Sequence, residues 1–190
     1  DTPDKENATI VARFDFAQNK NDPGTDAMLL ANWIFGGSSG LSNRLMLRLR
    51  QKDGLSYGAG SSVNVPAFGN DASWTMQAIL APQNLRKAEI ALYEEIDRVL
   101  KEGFTQEELD EAKKGFIEYR AVNRSQDNLI AYHWVQMMNE GVDWTEAQDR
   151  DETVRNLTLE EVNNAFRKMV DRNGLTVVLA GDQKKAMTQE

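Results

Sequence analysis

Ile10, Ala12, Phe14 and Phe16 alternate with Val11, Arg13 and Asp15. A two-residue period sends successive side chains to opposite faces, so a half-buried strand is predicted over 10–16. Asp22-Pro23 reads as an N-cap with proline at the first helical position. Ala27, Leu30, Ala31, Ile34 and Phe35 then recur at helical spacing up to Gly36, a natural helix stop. A short second helix follows, with Leu41, Leu45 and Leu49 as its buried arc, Arg44 and Arg48 on another face, and Arg50 pointing away from both. It is expected to end at Asp53-Gly54. Two strands, 55–65 and 72–80, are separated by a turn carrying Gly69-Asn70 and read as an antiparallel hairpin.

Pro82 opens an amphipathic helix in which Leu85, Ala88, Leu92, Ile96 and Val99 keep the three-and-four spacing until Gly103. Thr105 with Glu108 has the spacing of a capping box, and the helix it starts carries Leu109, Ala112, Phe116, Tyr119, Ile130, Trp134 and Met137. A kink is expected near 123–128, where helix propensity drops. A short helix around 145–156 and a second capping box, Thr158 with Glu161, lead to Val162, Phe166 and Met169, with Asn173-Gly174 as the stop. The continuous apolar run 175–180 reads as an interior strand, and a polar tail follows from Gly181. Runs of like elements, rather than strict alternation of strand and helix, predict an α+β fold: an antiparallel or mixed sheet with helices packed on one face, in a single domain over 1–190.

The chain has 190 residues, 41% hydrophobic and 27% charged, enough to bury roughly 70% of the surface its unfolded form exposes. No run approaches the ~18 apolar residues of a membrane span, so no membrane partner is expected. A net charge of -8 repels a phosphate backbone and argues against nucleic acid. With no cysteine, disulfides and thiolate chemistry are excluded. Residue 1 is Asp and nothing like a leader precedes the first strand, so the chain reads as an excised piece or a processed protein.

Candidate chemistry is sparse. His133 is the one histidine, no pair of histidines shares a helix face, and no spaced Asp/Asn/Gly loop suits calcium, so no metal site and no catalytic residue is assigned. His133, between Tyr132 and Trp134, reads as a packed or surface side chain. The acidic clusters Glu94-Glu95, Glu107-Glu108 with Asp110-Glu111, and Asp149 with Asp151-Glu152 read as solvated helix faces. Gly36-Gly37-Ser38-Ser39-Gly40 lacks the Lys-Ser/Thr of a phosphate loop; Gly36 would end one helix and Ser38 or Ser39 cap the next.

Arg50 and Tyr57 remain, expected to approach across a tight turn. Arg50 could simply satisfy the last helix carbonyls, and Tyr57 could simply pack. Side by side, however, a guanidinium and a phenol offer several donors and no negative charge, which suits a peptide carbonyl and the oxyanion that develops on it.

The run GGSSGLSNRLMLRLRQKDGLSYGAGSSV resembles the C-terminal-type domain of the pitrilysin/insulinase family of zinc metallopeptidases, the inverzincins, with their mitochondrial processing peptidase relatives. The resemblance extends to the opening strand and helix, the strand pair, FTQEELDEAK at 104–113 and the closing strand. It implies a half-clamshell domain in which Arg50 and Tyr57 bind the peptide substrate. The family's H-x-x-E-H zinc signature has no counterpart, since Trp134-Val135-Gln136 follows His133. The chain is therefore similar to the non-catalytic domain: no cofactor of its own, zinc on a partner domain or subunit, and no activity alone. The resemblance also implies a periplasmic setting and leaves self-association open. The alternative it allows is a structural or assembly subunit with no part in proteolysis.

Overall fold

The computed structural model describes residues 1–187. Its sheet has four strands, β1 (Ala8–Ala17), β2 (Ser56–Asn64), β3 (Asp71–Leu80) and β4 (Thr176–Ala180), in the order β2-β3-β1-β4 with every neighbour antiparallel. The alternation of β1 sets its two faces. Ala8, Ile10, Ala12 and Phe14 are buried, while Val11, Arg13 and Asp15 look outward. β3 repeats the pattern, burying Ala72, Trp74, Met76, Ala78 and Leu80.

Helices cover that one face. They are α1 (Thr25–Asn32, continued by a π turn at Trp33–Gly37), α2 (Arg44–Met46, continued by a π turn at Leu47–Lys52), α3 (Leu85–Glu102), α4 (Gln106–Asn123), α5 (Asp127–Glu140), α6 (Trp144–Asn156), α7 (Leu159–Met169) and α8 (Gln183–Met187). The core centres on Trp74, whose ring lies 5.2 Å from Phe35 and 5.7 Å from Phe166. Its indole N–H donates to Asn32 Oδ1 at 2.9 Å, so this fully buried ring leaves no polar atom unpaired. Leu30 from α1, Leu92 and Ile96 from α3 and Val162 from α7 complete the same cluster.

Both capping boxes form as the spacing predicts, at Thr105/Glu108 and Thr158/Glu161. Several boundaries differ. Asp22-Pro23 belongs to a turn, and α1 starts at Thr25 after Gly24, whose φ of 85° only glycine adopts readily. Gly36 lies inside a π turn rather than ending the helix. Leu41 is 52% exposed and lies ahead of α2, so it drops out of the buried arc, and Leu45, Met46 and Leu49 are the buried residues of the helix. The expected kink is a full break between α4 and α5. α7 ends at Met169, where Val170 turns extended, four residues before Asn173-Gly174.

The run 175–180 is not an interior strand. β4 pairs only with β1 and lies at the sheet edge, with Val177 and Leu179 turned to the helices and Val178 on the open face. The expected polar tail contains α8, which buries Ala186; residues 188–190 of that tail lie outside the described residues.

The acidic clusters divide. Glu107, Asp110, Glu111, Asp149 and Glu152 are exposed as expected, but Glu95 is fully buried, Glu108 half-buried and Asp151 buried. Arginines account for all three: Arg44, distant in sequence, and Arg98, one turn along the same helix, on Glu95; Arg44 on Glu108; and Arg120 and Arg124 on Asp151. A buried carboxylate is tolerated only with such a partner.

Candidate functional site

The segment from Gly36 to Tyr57 is fixed by local bonds and close packing. A Cβ on Gly36 would lie 2.7 Å from Leu45 Cδ1 and from Ser61 Oγ, so this glycine serves close packing against β2. The loop after it is held by Asn43, whose amide donates to the carbonyls of Ser38 and Gly40 at 3.0 and 3.2 Å. Asn43 Oδ1 also accepts from Met46 N at 2.9 Å. Asn43 is thus the N-cap of α2, the role expected of Ser38 or Ser39. Those two serines looked suitable because they follow the glycines directly; the cap residue is set by where the loop turns.

α2 widens at its end. Asp53 N–H donates to the Arg48 carbonyl at 3.1 Å, a π-type bond, and Leu55 N–H reaches back to the Leu49 carbonyl at 2.8 Å. Gly54, with φ 63°, makes the reversal between them. β2 then begins with an irregularity: Ser56 pairs with Leu80 and Gly58 with Ile79, so Tyr57 is the extra residue of a bulge. A bulge re-aims a side chain. Here it turns the Tyr57 ring to solvent, 60% exposed, between buried Ser56 and half-buried Gly58.

The arginines of this helix have different fates. Arg44 donates through Nε and Nη2 to both carboxylate oxygens of Glu108, the second at 2.8 Å, and through Nη1 to Glu95 at 3.4 Å. Arg48 donates to Asp53 at 2.6 Å and Glu94 at 2.5 Å. These pairs bolt the helix to α3 and α4. Burial pushes the Glu108 carboxyl up, but the hydrogen bond from Arg44, the Thr105 N–H and the charge of Arg44 together hold it below the usual carboxylate range. Arg50 is different. It is exposed, and its side chain has no hydrogen-bond or ion-pair partner among the described residues; the same holds for Tyr57. The structure thus places Arg50 within the turn closed by the Leu49–Leu55 bond and Tyr57 two residues beyond it in β2, with the donors of both free.

The other sequence candidates do not join them. His133 lines a separate cleft between α4, α5 and α6 with Arg120, Met137 and Trp144. Among the described residues no group of three His, Cys, Asp or Glu side chains converges. The signal that sequence reading missed is the bulge, which depends on pairing with β3.

Residues 1–116 match the family model described as the peptidase M16 inactive domain. The chain belongs to that family. A Helicobacter pylori protein named non-peptidase homolog YmxG is 27% identical to this M16 inactive domain over 157 residues, covering 80% of this chain and 34% of that protein. The crystal structure of a peptidase M16 inactive domain from Pseudomonas fluorescens superposes with a TM-score of 0.81 at 23% identity, over 95% of this chain and 42% of that one. A chain of complex III2 from Candida albicans superposes with a TM-score of 0.77 at 14% identity, over 98% of this chain and 45% of that one. At these identities the two structures establish the fold. The chain spans about a third of the H. pylori relative and less than half of the P. fluorescens chain.

Proposed function

We propose that this M16 inactive domain is the substrate-binding half of a zinc metalloendopeptidase cleft, with zinc and general base carried by another domain or chain. The observation that carries the reading is the free state of Arg50 and Tyr57 beside two fully engaged arginines of the same helix. A cation held on a rigid turn without a counter-ion is suited to a ligand. The Arg50 guanidinium presents a fork of N–H donors that fits a peptide carbonyl, and the Tyr57 hydroxyl adds a neutral donor a few residues away. Together they orient the backbone and donate to the oxygen on which negative charge grows during hydrolysis. Neither group competes as a nucleophile.

A second reading has one observation in its favour: the H. pylori relative is named a non-peptidase homolog. In that reading the fold serves assembly, and Arg50 and Tyr57 take no part in proteolysis. The first test is hydrolysis of a quenched-fluorescent peptide mixture, with zinc added, by this chain alone and by a longer protein that contains it. The expected result is turnover by the longer protein and none by the isolated chain. Turnover by the isolated chain would overturn the proposal.

A further inference from the structure

The β2–β3 ladder passes from Ser56↔Leu80 to Gly58↔Ile79, so Tyr57 and Gly58 both stand against Ile79. Direct cross-strand partners share a face, which puts Gly58 on the open side of the sheet, away from the helices. Ile79 pairs in turn with Thr9, and two residues along β1 Val11 pairs with Val178. Ile79, Val11 and Val178 are 49%, 37% and 56% exposed, an apolar row running diagonally from beside Tyr57 to the far edge. The nearest charges on β1, Arg13 and Asp15, are bound to each other.

No neighbouring atom requires a glycine at position 58. Glycine inside a strand costs backbone entropy and contributes no packing, so it needs a reason. Gly60 has one: a Cβ there would lie 3.3 Å from the Gly36 carbonyl oxygen. Gly58 has neither a positive φ nor any atom within 4 Å of a built Cβ. The space that a side chain would fill is left open on the solvent side, directly beside Tyr57.

We propose that Gly58 is a passage position for substrate main chain, and that the substrates are extended peptides with bulky apolar side chains at alternate positions. The proposal rests on the reading of Arg50 and Tyr57 as a peptide clamp. A peptide crossing the open face from β2 meets Ile79 one strand on and Val11 on the next. Diagonal neighbours of this kind lie about 7–8 Å apart, close to the spacing of about 7 Å between residues i and i+2 of an extended chain. One apolar side chain therefore rests on Ile79 and the next but one on Val11 and Val178, while the absent Cβ at position 58 lets the backbone in beneath the Tyr57 ring.

The test uses the longer protein and quenched-fluorescent peptides that differ only in carrying Leu, Asp or Lys at two alternate positions. Gly58→Leu should lower kcat/KM for the Leu peptide roughly tenfold or more, and Gly58→Ala should lower it less. Neither should lower the melting temperature, because the new atoms enter open space. Val178→Asp should erase the preference for the Leu peptide. Wild-type kcat/KM in Gly58→Leu, or an unchanged preference in Val178→Asp, would overturn this inference alone, provided Arg50→Ala still impairs cleavage. If Arg50→Ala and Tyr57→Phe are also without effect, the clamp reading itself fails. Should Gly58→Leu prove unstable, Gly58→Ala and Val178→Asp decide the matter.

Discussion

The Leu55 N–H donates to the Leu49 carbonyl oxygen at 2.8 Å, and that one main-chain bond closes a turn with Arg50 within it and Tyr57 two residues beyond it in β2. The turn is rigid for identifiable reasons: the Asn43 cap in front, the Arg44 and Arg48 ion pairs behind, and Gly54 at the reversal. The freedom of Arg50 therefore belongs to its side chain and not to its backbone.

Arg44 and Arg50 should behave oppositely on substitution. Arg44→Met leaves Glu108 with the Thr105 N–H and no cation, and fully buried Glu95 with Arg98 alone, and should destabilise the domain by about 3 kcal/mol in urea unfolding. Arg50→Ala removes no folded-state partner and should change stability by less than about 0.5 kcal/mol. A loss of several kcal/mol in Arg50→Ala would show that its role is structural.

Gly54→Ala forces a Cβ into the left-handed region and should cost about 1–2 kcal/mol, read as a lower melting temperature by circular dichroism. Gly24→Ala, at φ 85°, should behave alike.

Acid should weaken the bolt between α2 and α4. The Glu108 carboxyl sits below its unfolded value, about 4.3, because the Arg44 and Thr105 bonds outweigh burial. Its contribution is fully present above that value and is lost as pH falls through the lower, folded one. Urea unfolding between pH 7 and pH 3 should show stability falling below about pH 4.3. The fall should be shallower in Glu108→Gln, which is already weaker at pH 7. An equal fall in both would assign the acid sensitivity to other carboxylates.

What the sequence made legible is what short spacing encodes. The capping boxes at Thr105 and Thr158 involve residues three apart, and the alternation of Ile10, Ala12 and Phe14 is local to one strand, so both were readable. The edge position of β4 was not, because the apolar run reports hydrophobicity on both faces and says nothing of strand order. Glu95 and Glu108 looked solvated because their partner Arg44 lies 51 and 64 residues away. The site shows the same division. Arg50 and Tyr57 stood out by type and spacing, while the bulge that turns Tyr57 outward and the open space at Gly58 exist only once β2 pairs with β3.

The central claim is that Arg50 and Tyr57 act on substrate. It is tested most directly by kcat/KM for peptide hydrolysis in the longer protein, comparing wild type with Arg50→Ala and Tyr57→Phe at matched melting temperatures. The account predicts a loss of roughly tenfold or more in each, about 1.4 kcal/mol of transition-state stabilisation. Unchanged kcat/KM in both variants would contradict it and leave this M16 inactive domain as a scaffold.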